Sequence, residues 1–257
     1  MSGFAILLRK ELAESWRTRR LPVVAVLLVI FGMLSPLTAR YLPEIMELAL
    51  GDELTIPMPV PTAVTALEQF QKNLGQIGAL AAIALAMGSV AGELDRGTAA
   101  LVLAQPATRS AFLAAKLVAI GVVLAVSMAL ASVVAWIYTA VLFEPQPVGG
   151  WVVMAVLSWL ALSAWAALTF LASAATGSTT AAAGLGFTAL IVLSLVAIVP
   201  ALDRVLPTGL SVPAIQLAAG LTADLDTGRL ATAIAGTVVV IGASLAGALI
   251  AFRRREL

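Results

Sequence analysis

The sequence predicts an all-α integral membrane protein. It has six transmembrane helices, an N-terminal interfacial helix ahead of the first, a small cytoplasmic helix between the second and third, and an external re-entrant helix pair before the last. Three observations carry that prediction. Hydrophobic residues make up 61% of the 257 and charged residues 11%, against about 25% charged in soluble domains, so there is too little charge to cover a water-facing surface. Six runs, each close to the roughly 20 residues needed to cross a bilayer, contain no Asp, Glu, Lys or Arg. The basic residues between those runs are divided unequally, which fixes an orientation.

Residues 1–20 form the interfacial element. Phe4, Leu7, Leu8, Leu12 and Trp16 fall within one helical arc, with Arg9, Lys10, Glu14 and Arg17 outside it, as expected of a helix lying on a membrane surface. Glu11 intrudes on the apolar arc, which either weakens the pattern or aims a carboxylate at a protein partner. The first span covers 21–39. Residues 42–73 carry five prolines or glycines and a run of acids, then an amphipathic stretch over 65–72, and read as an exposed loop ending in helix. The second span covers 74–92, and the segment 93–116 leads to the third, 117–143. A turn with Glu144, Pro145, Pro147, Gly149 and Gly150 precedes the fourth span, 151–175. A second turn over 177–180 precedes the fifth, 181–202. Residues 203–229 contain a long uncharged stretch broken by Pro207, Gly209, Pro213 and Gly220. That stretch is too interrupted for an ordinary span, and it reads as a re-entrant or interfacial outer helix pair. The last span is 230–252.

An even number of spans puts both termini on one side. With the termini cytoplasmic, that side holds eleven of the basic residues and the other side four, while nine of the fourteen acids collect outside. Both termini are therefore expected in the cytoplasm. Tyr41, Trp136, Tyr138 and Trp151 then fall near the outer headgroups and Trp16 near the inner ones, where amphipathic rings anchor spans.

The chain has no His and no Cys, so it cannot build an imidazole relay, a thiolate nucleophile or the usual zinc site. No catalytic residue and no metal site are predicted. A phosphate-binding loop needs a lysine after a glycine, and Lys10, Lys72 and Lys116 all lack one. No ionisable residue lies inside the six runs, so neither a titrating carrier site nor a Ser and Lys dyad is expected. Serines and threonines within the spans, and small residues such as Ser173, Gly177 and Ala181, are assigned to helix packing. Nothing in the sequence suggests nucleic-acid binding.

The informative stretch is GELDRGTAALVLAQPATRSAFLAAK, Gly92 to Lys116. Glu93, Asp95, Arg96 and Gly97 open it, Thr98 to Gln105 can form a short amphipathic helix, and Pro106 stops that helix before Thr108, Arg109 and Ser110. A charged clasp followed by a small helix presenting Leu101, Val102 and Leu103 suits docking in a groove of a cytosolic protein. An ordinary solvated hairpin end has the same spacing.

Here the sequence resembles the permease family of type-2 ATP-binding-cassette (ABC) exporters, whose loop reads similarly at Gly92, Glu93, Gly97, Thr98, Leu101, Leu103, Pro106, Arg109 and Lys116. The Arg9, Lys10, Glu11, Leu12 run followed by basic residues and the first span also looks like this family. The resemblance implies one permease domain over 1–257 that pairs with a second permease, expected to be a copy of itself, and with two cytosolic ATPase subunits that bind ATP and Mg; this chain binds no cofactor. It also implies that 93–116 holds the coupling helix. Glu93, Asp95 and Arg96 would then fix the loop to the membrane body, and the stretch from Thr98 through Gln105 to Pro106 would meet the ATPase. The alternative expectation is an ATP-independent channel, secondary carrier or membrane scaffold.

Overall fold

The computed structural model describes residues 3–50, 60–95 and 108–254. All regular structure among them is helical, and six helices are long and apolar enough to cross a membrane. A surface helix, α1 (Gly3–Arg17), precedes α2 (Arg20–Leu50). Next come α3 (Ala63–Asn73), a single π turn (Leu74–Gly78) and α4 (Ala79–Met87), then the five-residue α5 (Ala91–Asp95). The long helices α6 (Arg109–Leu142) and α7 (Val148–Thr176) are followed by α8 (Thr179–Val196). Four short helices separate α8 from the last span: α9 (Pro200–Asp203), a 3-10 turn (Pro207–Leu210), α10 (Ser211–Ala218) and a second 3-10 turn (Thr222–Asp224). The chain closes with α11 (Thr227–Arg253).

The helices extend past the uncharged runs. α2 continues to Leu50 with Pro36 and Pro43 inside it. The amphipathic stretch read as the end of an external loop is α3, which runs through the π turn into α4 and buries Ala66, Leu67, Phe70 and Gln71. The helix is as the sequence predicts, but Glu68 and Lys72 conceal its continuity with the second span. Thr62 starts the helix with a capping box, accepting from the Thr65 amide, which supplies one of the acceptors the first turn lacks. At the other extreme α8 ends at Val196, because Pro200 holds Val199 in an extended conformation (φ −83°, ψ 112°) that a helix cannot use.

Apolar burial gives little drive between helices in lipid, so close backbone approach does much of the work. At Gly32 of α2, a Cβ would come within 2.6 Å of the Ala131 carbonyl oxygen of α6; only glycine lets these two helices meet there. The same logic holds at Gly150, where a Cβ would overlap the Leu217 carbonyl of α10. That contact seats the short helices between α8 and α11 on α7. The segment they form is fastened at its ends by Arg229 Nη2 donating to Asp203 Oδ2 at 2.7 Å, with Thr208 Oγ1 donating to Asp203 Oδ1 at 2.9 Å. Trp151, expected as a headgroup anchor, is instead 3% exposed and donates its indole N–H to the Ser132 carbonyl. Trp16 is open, at 65%.

Candidate functional site

The segment joining the second and third spans leaves the membrane body at α5 and returns at the start of α6, and the residues at those two points determine what the segment can do. α5 is positioned by one hydroxyl. Between α4 and α5 the helical ladder breaks, and Ser173 of α7, fully buried, donates to the Met87 carbonyl (2.8 Å) while accepting from the amides of Ala91 (3.0 Å) and Val90 (3.3 Å). A buried break in a helix requires such partners. With α5 held there, Glu93 points inward and is 6% exposed, whereas Asp95 faces out.

Glu93 meets Lys116. Lys116 Nζ lies 2.6 Å from Glu93 Oε1 and 3.0 and 3.1 Å from Glu11 Oε1 and Oε2, and the lysine is 3% exposed. The ammonium also stands 5.0 Å from the centroid of Phe112, one turn earlier on α6, a cation–π distance. Phe112 in turn stacks on Phe252 of α11 with centroids 5.8 Å apart. Lys10 adds a second cation at 3.2 Å from Glu11, 3.4 Å from Glu93 and 3.5 Å from Glu14. Burial lowers the Lys10 pKa, but the charges of Glu11, Glu93 and Glu14 outweigh it and hold the ammonium above its ordinary 10.5. Carboxylate oxygens of Glu11, Glu14 and Glu93 come within 4.8 Å of one another, and the cations between them are these two lysines.

The surface helix takes part through an unexpected face. α1 buries Leu7, Glu11 and Ser15, spaced by four, while Ile6 and Trp16 of the same helix stay exposed. Within this chain the counterion of Glu11 is Lys116. Arg9 is exposed and Leu12 half-buried. Arg109 donates Nη1 to the Arg253 carbonyl at 3.3 Å, so the base of α6, the end of α11, α1 and α5 gather at one end of the bundle.

Comparison with known proteins decides what kind of bundle this is. The family model for "ABC-2 family transporter protein" matches residues 5–257. The chain belongs to the ABC-2 transporter family. An uncharacterized transmembrane protein of Bacillus subtilis (strain 168), YxlG, is 30% identical over 146 residues, covering 56% of this chain and 57% of that protein. The chain thus spans little more than half the length of that relative.

ABC-2 proteins are membrane components of transporters, and the family implies an ABC ATPase partner and a lipid surround. In this ABC-2 chain, Arg96, Gly97, Thr98, Leu101, Leu103, Gln105 and Pro106 lie outside the described residues. Of the residues singled out in the sequence, the structure brings together Glu93, Lys10, Glu11 and Lys116, and it gives Ser173, assigned to packing, the further task of holding α5. Lys116 was read only as the end of a loop motif because the uncharged run begins one residue later; the helix itself begins at Arg109, so Lys116 sits two turns inside it. The usable signals were two misplaced charges, an acid on an apolar arc and a lysine against a span.

Proposed function

We propose that this chain is the permease subunit of an ABC exporter of a bacterial or archaeal inner membrane. In this reading it lies with both termini in the cytoplasm, pairs with a second permease copy, and is driven by two cytosolic ATPase subunits that bind ATP and Mg. The segment 93–116 is the coupling loop. The observation that carries the reading is the closure of the loop at its base: Glu93 and Lys116, its first and last residues, bond to each other at 2.6 Å, and Lys116 also donates to Glu11 of α1. A push on the loop is then delivered to α1, α5 and α6 as one body rather than lost in an independent hairpin. Buried charge-assisted bonds of this geometry are stiff and directional, which suits transmission of force. The cluster offers no nucleophile and base pair, so the work is mechanical and the hydrolysis belongs to the partner.

Co-expression with a candidate ATPase and measurement of ATP turnover in proteoliposomes tests this. Replacing Glu93, Arg96 or Leu101 is expected to uncouple hydrolysis from transport. Unaltered coupling in all three variants would sink the loop assignment. Uphill solute movement by the lone chain would favour an ATP-independent carrier.

A further inference from the structure

The clasp uses one side of α1, and the other side carries a different chemistry. Leu7, Glu11 and Ser15 face the bundle. The helical repeat sets Ile6, Arg9, Ala13, Trp16 and Arg17 on the opposite side, and all five are exposed, Ile6 at 55% and Trp16 at 65%. Arg19, in the turn that follows, is exposed as well. Among the described residues no carboxylate pairs with Arg9, Arg17 or Arg19. The depth of this face follows from Glu11. Its partner Lys116 lies two turns inside α6, about 10 Å along it, and one residue before the uncharged run. α1 therefore lies beside α6 at the bilayer edge rather than beneath it, and its far side is turned toward the headgroups.

We propose that this side of α1 is a binding surface for anionic phospholipid, with Arg9, Arg17 and Arg19 on the headgroup phosphate and Ile6 and Trp16 seated at the top of the acyl chains. A guanidinium matches a phosphate with two parallel hydrogen bonds, and basic residues beside a span draw acidic lipids to it. The same face holds an aliphatic and an indole side chain, which suits a boundary between charge and hydrocarbon. A second copy related by a twofold axis would bring an equally cationic α1 to the same depth. The acids there are already taken, since Glu11, Glu14 and Glu93 pair with Lys10 and Lys116, and that leaves Asp95 as the exposed acid among the described residues at this end to answer three arginines. Arg19 adds a further sign. It stands at φ +59°, where glycine fits best, so its side chain is kept at a backbone cost although it makes no ion pair among the described residues. The proposal stands on the charge and depth of α1 and does not depend on coupling to an ATPase.

The test titrates the full chain, in a nonionic detergent, with phosphatidylglycerol or with phosphatidylcholine of the same acyl chains, and native mass spectrometry counts the lipid bound. Phosphatidylglycerol is expected to bind roughly tenfold more tightly. Arg9→Gln should weaken it roughly three- to sixfold, the worth of one basic residue near acidic lipid, and leave phosphatidylcholine unchanged. Replacing Arg9, Arg17 and Arg19 together by Gln should erase the preference, and replacing all three by Lys should keep most of it. Free glycerol phosphate should not compete. Equal affinity for the two lipids, a preference that survives the triple Gln variant, or full competition by glycerol phosphate overturns the proposal, and Arg9→Gln decides if the triple variant fails to fold. Displacement of bound phosphatidylglycerol by an added ATPase subunit would assign the face to that protein and overturn it too. The lipid titrations contain no ATPase, so their failure leaves the coupling reading untouched.

Discussion

Lys116 Nζ rests 3.0 and 3.1 Å from the two carboxylate oxygens of Glu11, a residue 105 positions earlier on a different helix. This pair, with Glu93, joins the surface helix to the third span, and both partners are nearly solvent-free. Breaking a buried ion pair by removing one partner costs about 3–5 kcal/mol, because a charge is left uncompensated. Lys116→Met is therefore expected to lower unfolding stability in detergent by that amount, and Glu11→Gln by less, since Glu93 still pairs with Lys116. The double variant should lose at least about 1 kcal/mol less than the sum of the two. Additive losses would show that the two groups do not interact.

Ser173 should behave unlike the other serines of the spans. Its hydroxyl serves three backbone groups at the α4–α5 break, whereas Thr169 bonds only its own helix, at the Trp165 carbonyl. Ser173→Ala strands buried amides at a cost of about 1–3 kcal/mol, while Thr169→Val should change stability much less. Hydrogen exchange of the Ala91 amide is the direct readout, and it should speed up in the first variant alone.

Arg19, between α1 and α2, has φ +59°, a conformation that L-residues avoid and glycine adopts freely. Arg19→Gly is expected to stabilise the protein by about 1 kcal/mol by removing that strain, and Arg19→Ala, which keeps it, is not. Thermal unfolding of the two variants side by side separates backbone relief from loss of charge.

The alkaline limit of stability has a sign that can be worked out from Lys10. Its pKa is raised in the folded state above 10.5, so its contribution is complete below 10.5 and is lost as pH climbs through the higher folded value. A stability profile measured across that range should fall toward high pH, and Lys10→Met should flatten the fall. A steeper decline in the variant would contradict the assignment.

How far these features could be read in the sequence depends on which solvent each residue meets. Lipid forbids unpaired charge, so the six uncharged runs announce themselves. The same rule conceals that α3 belongs to the second span, since Glu68, Gln71 and Lys72 interrupt the pattern although Leu67 and Phe70 are fully buried. Pairing is harder still. Glu11 and Lys116 are each visibly out of place, but a single sequence does not say which distant charge answers which. Ser173 carries no signal at all, because a serine in a span ordinarily bonds its own helix, and its role exists only where another helix breaks beside it.

The order of synthesis follows from the same ion pair. The ribosome releases Glu11 long before Lys116, which trails it by 105 residues. Until the third span has been threaded into the membrane, α1 must keep that carboxylate hydrated or leaning on Lys10. Although made before the spans that follow it, α1 is thus among the last of these elements to settle, and truncated chains ending before the third span should leave α1 open to proteases.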